Sequence, residues 1–327
     1  MTGPALIVIP CLNEAAHLPG LLQQLRTENP AARIVVADGG SSDGSRAIVE
    51  RFSALDHGII LMDNPDRIQS AGINRAVAMY GNGHAWLARI DAHCAYPANY
   101  VAQLVEAGVA KKAISVVVPM ETVGRSCFQK AAAAAQNSVI GTGGSAHRSK
   151  GKGAYVDHGH HALMQIAAFR AVGGYNLGMS HNEDAELDHR LRECGRIWLE
   201  PDCTITYFPR ATATALWRQY RNYGKGRAQT LQLHQMRPKL RQMIPLAVPA
   251  ALLLALLSPV LPLLVLPLLG WVVLSVSAGA LIGWRLRSPC AAMSGLAAMI
   301  MHLAWGLGFI MQIIAGKRAL PAIRPLE

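Results

Sequence analysis

Short apolar runs alternate with longer stretches whose apolar positions recur at helical spacing in the first part of the chain. Ala5–Ile9, Arg33–Ala37, Gly58–Met62 and Trp86–Ile90 are dense enough in apolar residues to be strands buried on both faces. Between them Glu14–Leu25, Ser45–Phe52 and Ile68–Met79 read as helices. In the first, Leu18, Leu21, Leu22 and Leu25 share one face. Strands separated by helices predict an α/β fold, with a mostly parallel sheet covered by helices on both faces. Ligands of such sheets bind beyond the carboxyl ends of the strands. Polar clusters fall at those ends: Asn13-Glu14, the loop Asp38-Gly-Gly-Ser-Ser-Asp-Gly44, and Asp91-Ala92-His93.

After Ser115–Pro119 the alternation loosens. Gly141–Gly153 reads as a mobile basic loop. Tyr155–Phe169 and Arg196–Thr206 read as strands on either side of an acidic helix, Glu183–Glu193, and Ala215–Leu233 as a helix leading to a membrane. The forty residues Ile244–Gly283 contain no Asp, Glu, Lys, Arg or His, and Ser288–Ala315 is interrupted only by His302. A span needs about 20 apolar residues, so the first tract suggests two spans and the second one. The expected organisation is a catalytic domain over 1–235 and a membrane region over 236–327 with two or three transmembrane helices.

The net charge of +11 changes the picture in one place. Arg218, Arg221, Lys225, Arg227, Arg237, Lys239 and Arg241 precede the apolar tract, and basic flanks favour the cytosolic side. Ala5–Ile9 lacks the basic flank and cleavage site of a secretory signal, so the catalytic part is expected in the cytosol, at a bacterial inner membrane. Nucleic-acid binding is excluded by missing motifs and aromatic interleaving. The six Cys show no paired spacing, so they are expected to be reduced, mostly packed thiols.

The chemistry sits in the polar clusters. In the loop from Asp38 to Ser45, glycines allow close backbone approach and Ser and Asp cap the next helix. The absence of GxGxxG weighs against a dinucleotide dehydrogenase. Asp91 and His93, an oxygen and a nitrogen donor two residues apart, can face one Mn²⁺ or Mg²⁺ on a diphosphate; a capped strand end fits the same spacing equally well. Glu183-Asp184 opens a helix whose dipole favours ionised carboxylates, as a general base near a hydroxyl requires, although a plain acidic first turn has the same pattern. His158, His160 and His161 suit a metal, a substrate groove or a strand with alternating imidazoles.

Together these motifs resemble the family-2 inverting glycosyltransferases of GT-A fold, and within them the bacterial succinoglycan-type exopolysaccharide glucosyltransferases. The carrying residues are Pro10-Cys-Leu-Asn-Glu14, Asp38-Gly-Gly-Ser-Ser-Asp-Gly-Ser45, Asp91-Ala-His93-Cys-Ala-Tyr-Pro97, Gly173-Gly-Tyr175, Asn182-Glu-Asp184 with Glu186, Leu187 and Arg190, and Tyr223-Gly-Lys-Gly-Arg227. The resemblance implies a Rossmann-like domain followed by transmembrane helices. It implies a nucleotide-sugar donor, UDP-glucose by analogy, held by Pro10, Asn13, Glu14 and Asp38 (facing the uracil), by Gly39, Ser41, Asp43 and Asp91, and by Arg221 and Arg227. Asp91 and His93 stand where the family carries its DxD metal motif, with His in place of the second acid. Asp184 becomes the catalytic base, supported by Glu183. Gln219-Tyr-Arg-Asn-Tyr223 lacks the Trp and spacing of the processive QxxRW motif, which favours one sugar per encounter. The implied acceptor is a lipid-linked saccharide, with other glycan-assembly proteins as further partners.

Two rivals share part of this pattern: a synthase loading sugar onto a polyprenyl phosphate, and a non-catalytic nucleotide-sugar-binding membrane scaffold. A nucleotidyltransferase should carry a Gly-rich basic loop where this chain has Cys11-Leu12-Asn13-Glu14.

Overall fold

The computed structural model describes residues 4–143, 153–179 and 181–316. The basic loop expected over Gly141–Gly153 therefore lies largely outside the described residues. Packing divides the chain into two units: 4–120 with 153–206, and 121–143 with 207–316.

The first unit follows the predicted alternation: β1 (Ala5–Cys11), α1 (Leu18–Glu28), β2 (Arg33–Asp38), α2 (Ser45–Leu55), β3 (Ile59–Asp63), α3 (Gln69–Tyr80), β4 (Trp86–Arg89), α4 (Tyr100–Ala110) and β5 (Ser115–Val118). The chain continues through β6 (Met120–Thr122), α5 (Cys127–Gln136), α6 (Val139–Thr142), β7 (Ala154–Val156), β8 (His160–Gln165), α7 (Ile166–Ala171), α8 (Glu183–Leu191), β9 (Ile197–Leu199) and β10 (Ile205–Tyr207). Eight strands form one sheet in the order β3-β2-β1-β4-β8-β5-β9-β7, and β6 pairs with β10 separately. The pairs β1–β2, β1–β4, β2–β3 and β5–β9 are parallel, while β8 runs antiparallel to both β4 and β5.

The sheet is the middle of three layers. Leu6, Ile7, Val8 and Ile9 have no solvent exposure, because alternate residues of β1 feed opposite cores. Helices α1, α2 and α4 bury Leu18, Leu22, Val49 and Leu104 on one face. Helices α3, α7 and α8 bury Ile73, Val77, Phe169, Leu187 and Leu191 on the other. Each such side chain contributes roughly 1.5–3 kcal/mol on burial.

Two expected strands divide. Tyr155–Phe169 becomes the edge strand β7, the central strand β8 and the helix α7. Arg196–Thr206 is interrupted by a 3₁₀ turn at Pro201–Cys203, where proline cannot donate to a strand ladder.

The second unit contains α5, α6, α9 (Ala213–Leu233), α10 (Leu240–Met243), α11 (Ala247–Leu256), α12 (Leu266–Arg285), α13 (Pro289–Ala292) and α14 (Ser294–Ala315). Two helical stretches, Pro262–Arg285 and Pro289–Ala315, are long and apolar enough to cross a membrane, and Leu240–Leu256 is a shorter apolar stretch. The apolar faces of α12 are largely exposed: Leu269, Val273, Leu274 and Leu281 lie open. Helix α14 instead packs along α9, where Gly308 meets the Arg221 carbonyl and Gly224 meets that of Trp305. A Cβ at either glycine would come within about 2 Å of those oxygens.

One expectation is overturned here. Cys127 and Cys290 form a disulfide, with their Cα atoms 5.1 Å apart. The partners are 163 residues apart, so no spacing rule links them; helix packing brings the amino end of α5 to the turn before α14. Cys11, Cys94, Cys194 and Cys203 are free thiols.

Candidate active site

Strand order reverses between β1 and β4, the place where an open α/β sheet leaves a crevice at its carboxyl edge. The loops after β1, β2 and β4 meet there. Cys11 pairs with Asp38 and Val8 with Arg89, so Asp38 and Asp91 leave the sheet at the same rim, on strands either side of β1. At a strand spacing of about 4.8 Å, these two strands are about 10 Å apart.

The loops after β1 and β2 are laced together. The Asn13 amide donates to Ser41 Oγ (2.8 Å), the Ser42 amide to Asn13 Oδ1 (2.8 Å), the Glu14 amide to Ser45 Oγ (2.9 Å) and the Ala15 amide to Asp43 Oδ2 (2.9 Å). Gly40 has φ of +88°, a turn that a side chain would strain. Asp38 is 2% exposed and accepts from the Ser41 hydroxyl (2.5 Å), the Gly40 amide (3.0 Å) and Arg46 Nη1 (2.9 Å). Burial opposes its charge, but the Ser41 and Arg46 contacts outweigh burial and hold the carboxyl below its usual range.

Across the crevice, buried Arg89 joins the other two acids. Its Nη1 donates to Asp184 Oδ1 at 2.5 Å and to the Tyr175 hydroxyl at 2.9 Å, and its Nε faces Asp91 Oδ1 at 3.3 Å. Gln69 Nε2 donates to the same Asp91 oxygen at 2.9 Å. His160 Nε2 lies 3.6 Å from Asp91 Oδ2. His161 contacts Tyr175, Asp184 and Asp188. His93, half-exposed, places Nδ1 3.0 Å from Glu14 Oε1 and so bridges the crevice between β1 and β4.

These surroundings drive the carboxylates apart. Burial works against ionisation of Asp184, yet Arg89 and then His161 hold it far below the usual carboxylate range. Burial, followed by repulsion from Asp184, pushes neighbouring Glu183 up to about 7. Asp91 is lowered, Arg89 and His160 overcoming its burial, while His160 is itself pushed down to about 4, chiefly by burial.

A family profile described as "Glycosyl transferase family 2" matches residues 6–173. The chain belongs to that family. It is 49% identical over 317 residues to the "Succinoglycan biosynthesis protein ExoA" of Rhizobium meliloti (strain 1021), covering 96% of both chains. Among solved structures it resembles the mannosyltransferase PcManGT from Pyrobaculum calidifontis in complex with GDP-Man and Mn²⁺, with a TM-score of 0.57, 16% identity, and coverage of 96% of this chain and 88% of that one. GalNAc-T7 with UDP, GalNAc and Mn²⁺ matches with a TM-score of 0.48 and 14% identity; the match covers 71% of this chain and 50% of that protein. The PcManGT likeness shows the fold, a GT-A-like α/β domain.

In this family-2 glycosyltransferase the expected residues fall into groups. Asp91, Asp184 and Glu183 share the Arg89 cluster, and Glu14 and His93 pair beside it. Asn13, Ser41 and Asp43 brace the loops after β1 and β2, beside Pro10 and Gly39. Asp38 stands on the same rim with its carboxylate engaged by its own loop and Arg46. Arg221 and Arg227 lie on α9 in the second unit, where burial and Arg241 lower Arg227 to about 10.

No cluster of three or more metal-donating side chains occurs among the described residues. Asp91 and His93 nevertheless fit a divalent cation that takes its remaining ligands from a diphosphate. Asp91 Oδ1 is spent on Arg89 and Gln69, whereas Oδ2 has its nearest recorded partner at 3.6 Å, and His93 Nδ1 is the ring nitrogen spent on Glu14.

Sequence reasoning missed Arg89, Gln69, Tyr175 and Asp188 as members of the site. Arg89 had a signal: a cation inside the apolar run Trp86–Ile90 must find buried counter-charges. Asp188 had a weaker one, its place one helical turn after Asp184.

Proposed function

We propose that this glycosyltransferase moves a hexose, with UDP-glucose as the donor, onto a lipid-linked saccharide in exopolysaccharide assembly. The observation that carries the reading is the buried Arg89 joining Asp91 and Asp184 at the strand rim beside the crevice. The similarity to a succinoglycan biosynthesis protein supports the pathway class. The two membrane-length helices support an acceptor reached at a bacterial inner membrane, where tethering raises its effective concentration.

In this reading Pro10, Asn13, Glu14, Asp38 and Gly39, with the loop braced by Ser41 and Asp43, hold the nucleotide. Asp184 removes the proton of the acceptor hydroxyl as that oxygen attacks the anomeric carbon opposite the leaving nucleotide, which inverts the configuration. Asp184 Oδ1 is taken by Arg89, which leaves Oδ2 for the hydroxyl. A divalent cation, when held by Asp91 and His93, would supply neutralisation of charge on the departing diphosphate. Glu183 supports the base and, when protonated, limits negative charge beside it.

The test is a donor screen on membranes containing the full chain, scoring release of UDP, GDP and dTDP from their sugar conjugates. UDP release is expected. Asp184→Asn should retain donor binding and lose about 10²–10⁴-fold in turnover; near-normal turnover would remove Asp184 from its role.

A further inference from the structure

Behind the Arg89 cluster lies a polar network that the transfer reaction does not yet use. Asp188 and His161 have no solvent exposure, and Tyr175 is 2% exposed. His161 Nε2 lies 2.7 Å from Asp188 Oδ1, and its Nδ1 lies 2.7 Å from the Tyr175 hydroxyl and 3.4 Å from Asp184 Oδ1. Asp188 Oδ2 accepts from the Gly159 amide at 3.1 Å. We propose that His161, seated on Asp188, is a positioning residue that sets the orientation of Asp184; this rests on the reading of Asp184 as the base.

The helix supplies the first reason. Asp184 and Asp188 are four residues apart on α8, so their side chains lie on one face, one turn apart. A single imidazole on β8 therefore touches α8 at two levels, one through each ring nitrogen. Leu187 and Leu191 already seat α8 on the sheet. The imidazole adds a polar hold at two successive turns, which limits axial shift of the helix and the side-chain orientations open to Asp184.

Hydrogen-bond accounting supplies the second. With His161 neutral, Nε2–H donates to Asp188, and the Tyr175 hydroxyl donates to Nδ1 while accepting from Arg89. With His161 charged, Nδ1–H serves Asp184 and Tyr175. Each ring nitrogen of His161 has a partner in either form, the hold on Asp184 is made by the charged imidazole, and the chain ends at Asp184, which is partly exposed. Burial disfavours the charged imidazole, but Asp188 and Asp184 outweigh it. Apolar residues would pack α8 on β8 at least as well as this network does. Its distinctive product is a fixed carboxylate, and a displacement of about 1 Å at a reacting group can cost about 10²-fold in rate.

The experiment compares His161→Gln, Asp188→Asn, the double variant and Leu191→Ala, each in the full chain in membranes. Release of nucleoside diphosphate is followed from whichever of UDP-glucose, GDP-mannose or dTDP-glucose supports wild-type turnover, and kcat is expressed per folded molecule. His161→Gln and Asp188→Asn should each lower kcat by about 10–10²-fold, with donor KM within about threefold of wild type. The double variant should be no worse than the poorer single one, because the pair acts as a unit. Leu191→Ala, which loosens the apolar side of α8, should lower stability and keep kcat per folded molecule. Normal kcat per folded molecule in either polar variant, additive losses in the double variant, or an equal kcat loss in Leu191→Ala would overturn the proposal. Should His161→Gln not fold, Asp188→Asn, which keeps the shape of the side chain, decides. An Asp184→Asn control that retains turnover removes the base reading itself, a different failure from an inactive Asp184→Asn beside a fully active His161→Gln.

Discussion

Arg89 is a single guanidinium facing Asp184, Asp91 and Tyr175 at 5% exposure. A buried cation of this kind costs several kcal/mol to desolvate and is sustained only by its partners. Arg89→Met therefore leaves two partly buried carboxylates without their cation. It should lower stability by about 3–5 kcal/mol, read by thermal unfolding, and raise the pKa of Asp184. Glu183 permits a second test at this scale. Raised to about 7, it carries a proton below that pH and is ionised above it, whereas Asp184 stays ionised throughout. If Asp184 is the base, kcat should hold as pH falls through 7. A kcat limb near pH 7 that disappears in Glu183→Gln would transfer the role to Glu183.

Among the elements, the loops after β1 and β2 act as one piece because each supplies the other's hydrogen-bond acceptors. Asp43→Ala removes acceptors from the Ala15 amide and from Ser45. The donor KM should rise severalfold with kcat nearly unchanged, measured by initial rates. Helix-forming patterns were legible throughout this region because apolar residues recur on one face of each helix. Strand direction was not. Nothing in the run from His160 to Gln165 distinguishes a parallel strand from one that enters antiparallel between β4 and β5. That reversal carries His160 and His161 to the acids at the carboxyl edge of β4.

For the whole molecule, the Cys127–Cys290 disulfide joins two residues of the second unit that lie 163 positions apart in the chain. Alkylation of the denatured, unreduced chain should label four of the six cysteines, and reduction should expose the remaining pair. Mass spectrometry checks both counts, and six labelled cysteines before reduction would remove the bond. Cys290→Ser should lower stability by about 2–4 kcal/mol. The two apolar C-terminal stretches were legible because span length and absence of charge are properties of the chain itself. Their different surroundings, α12 largely exposed and α14 packed along α9, were not.

Local chemistry thus determined the alternation of strands and helices, the polar clusters at strand ends and the apolar tail, because periodicity, turn residues and hydropathy act over a few neighbouring positions. The union of Asp91 with Asp184 through Arg89, the seat of His161 between two levels of α8, and the disulfide were decided only by tertiary structure. Each joins side chains 23 to 163 residues apart. Whether such groups meet depends on which strands become neighbours and in which direction they run, and no short stretch of sequence carries that information.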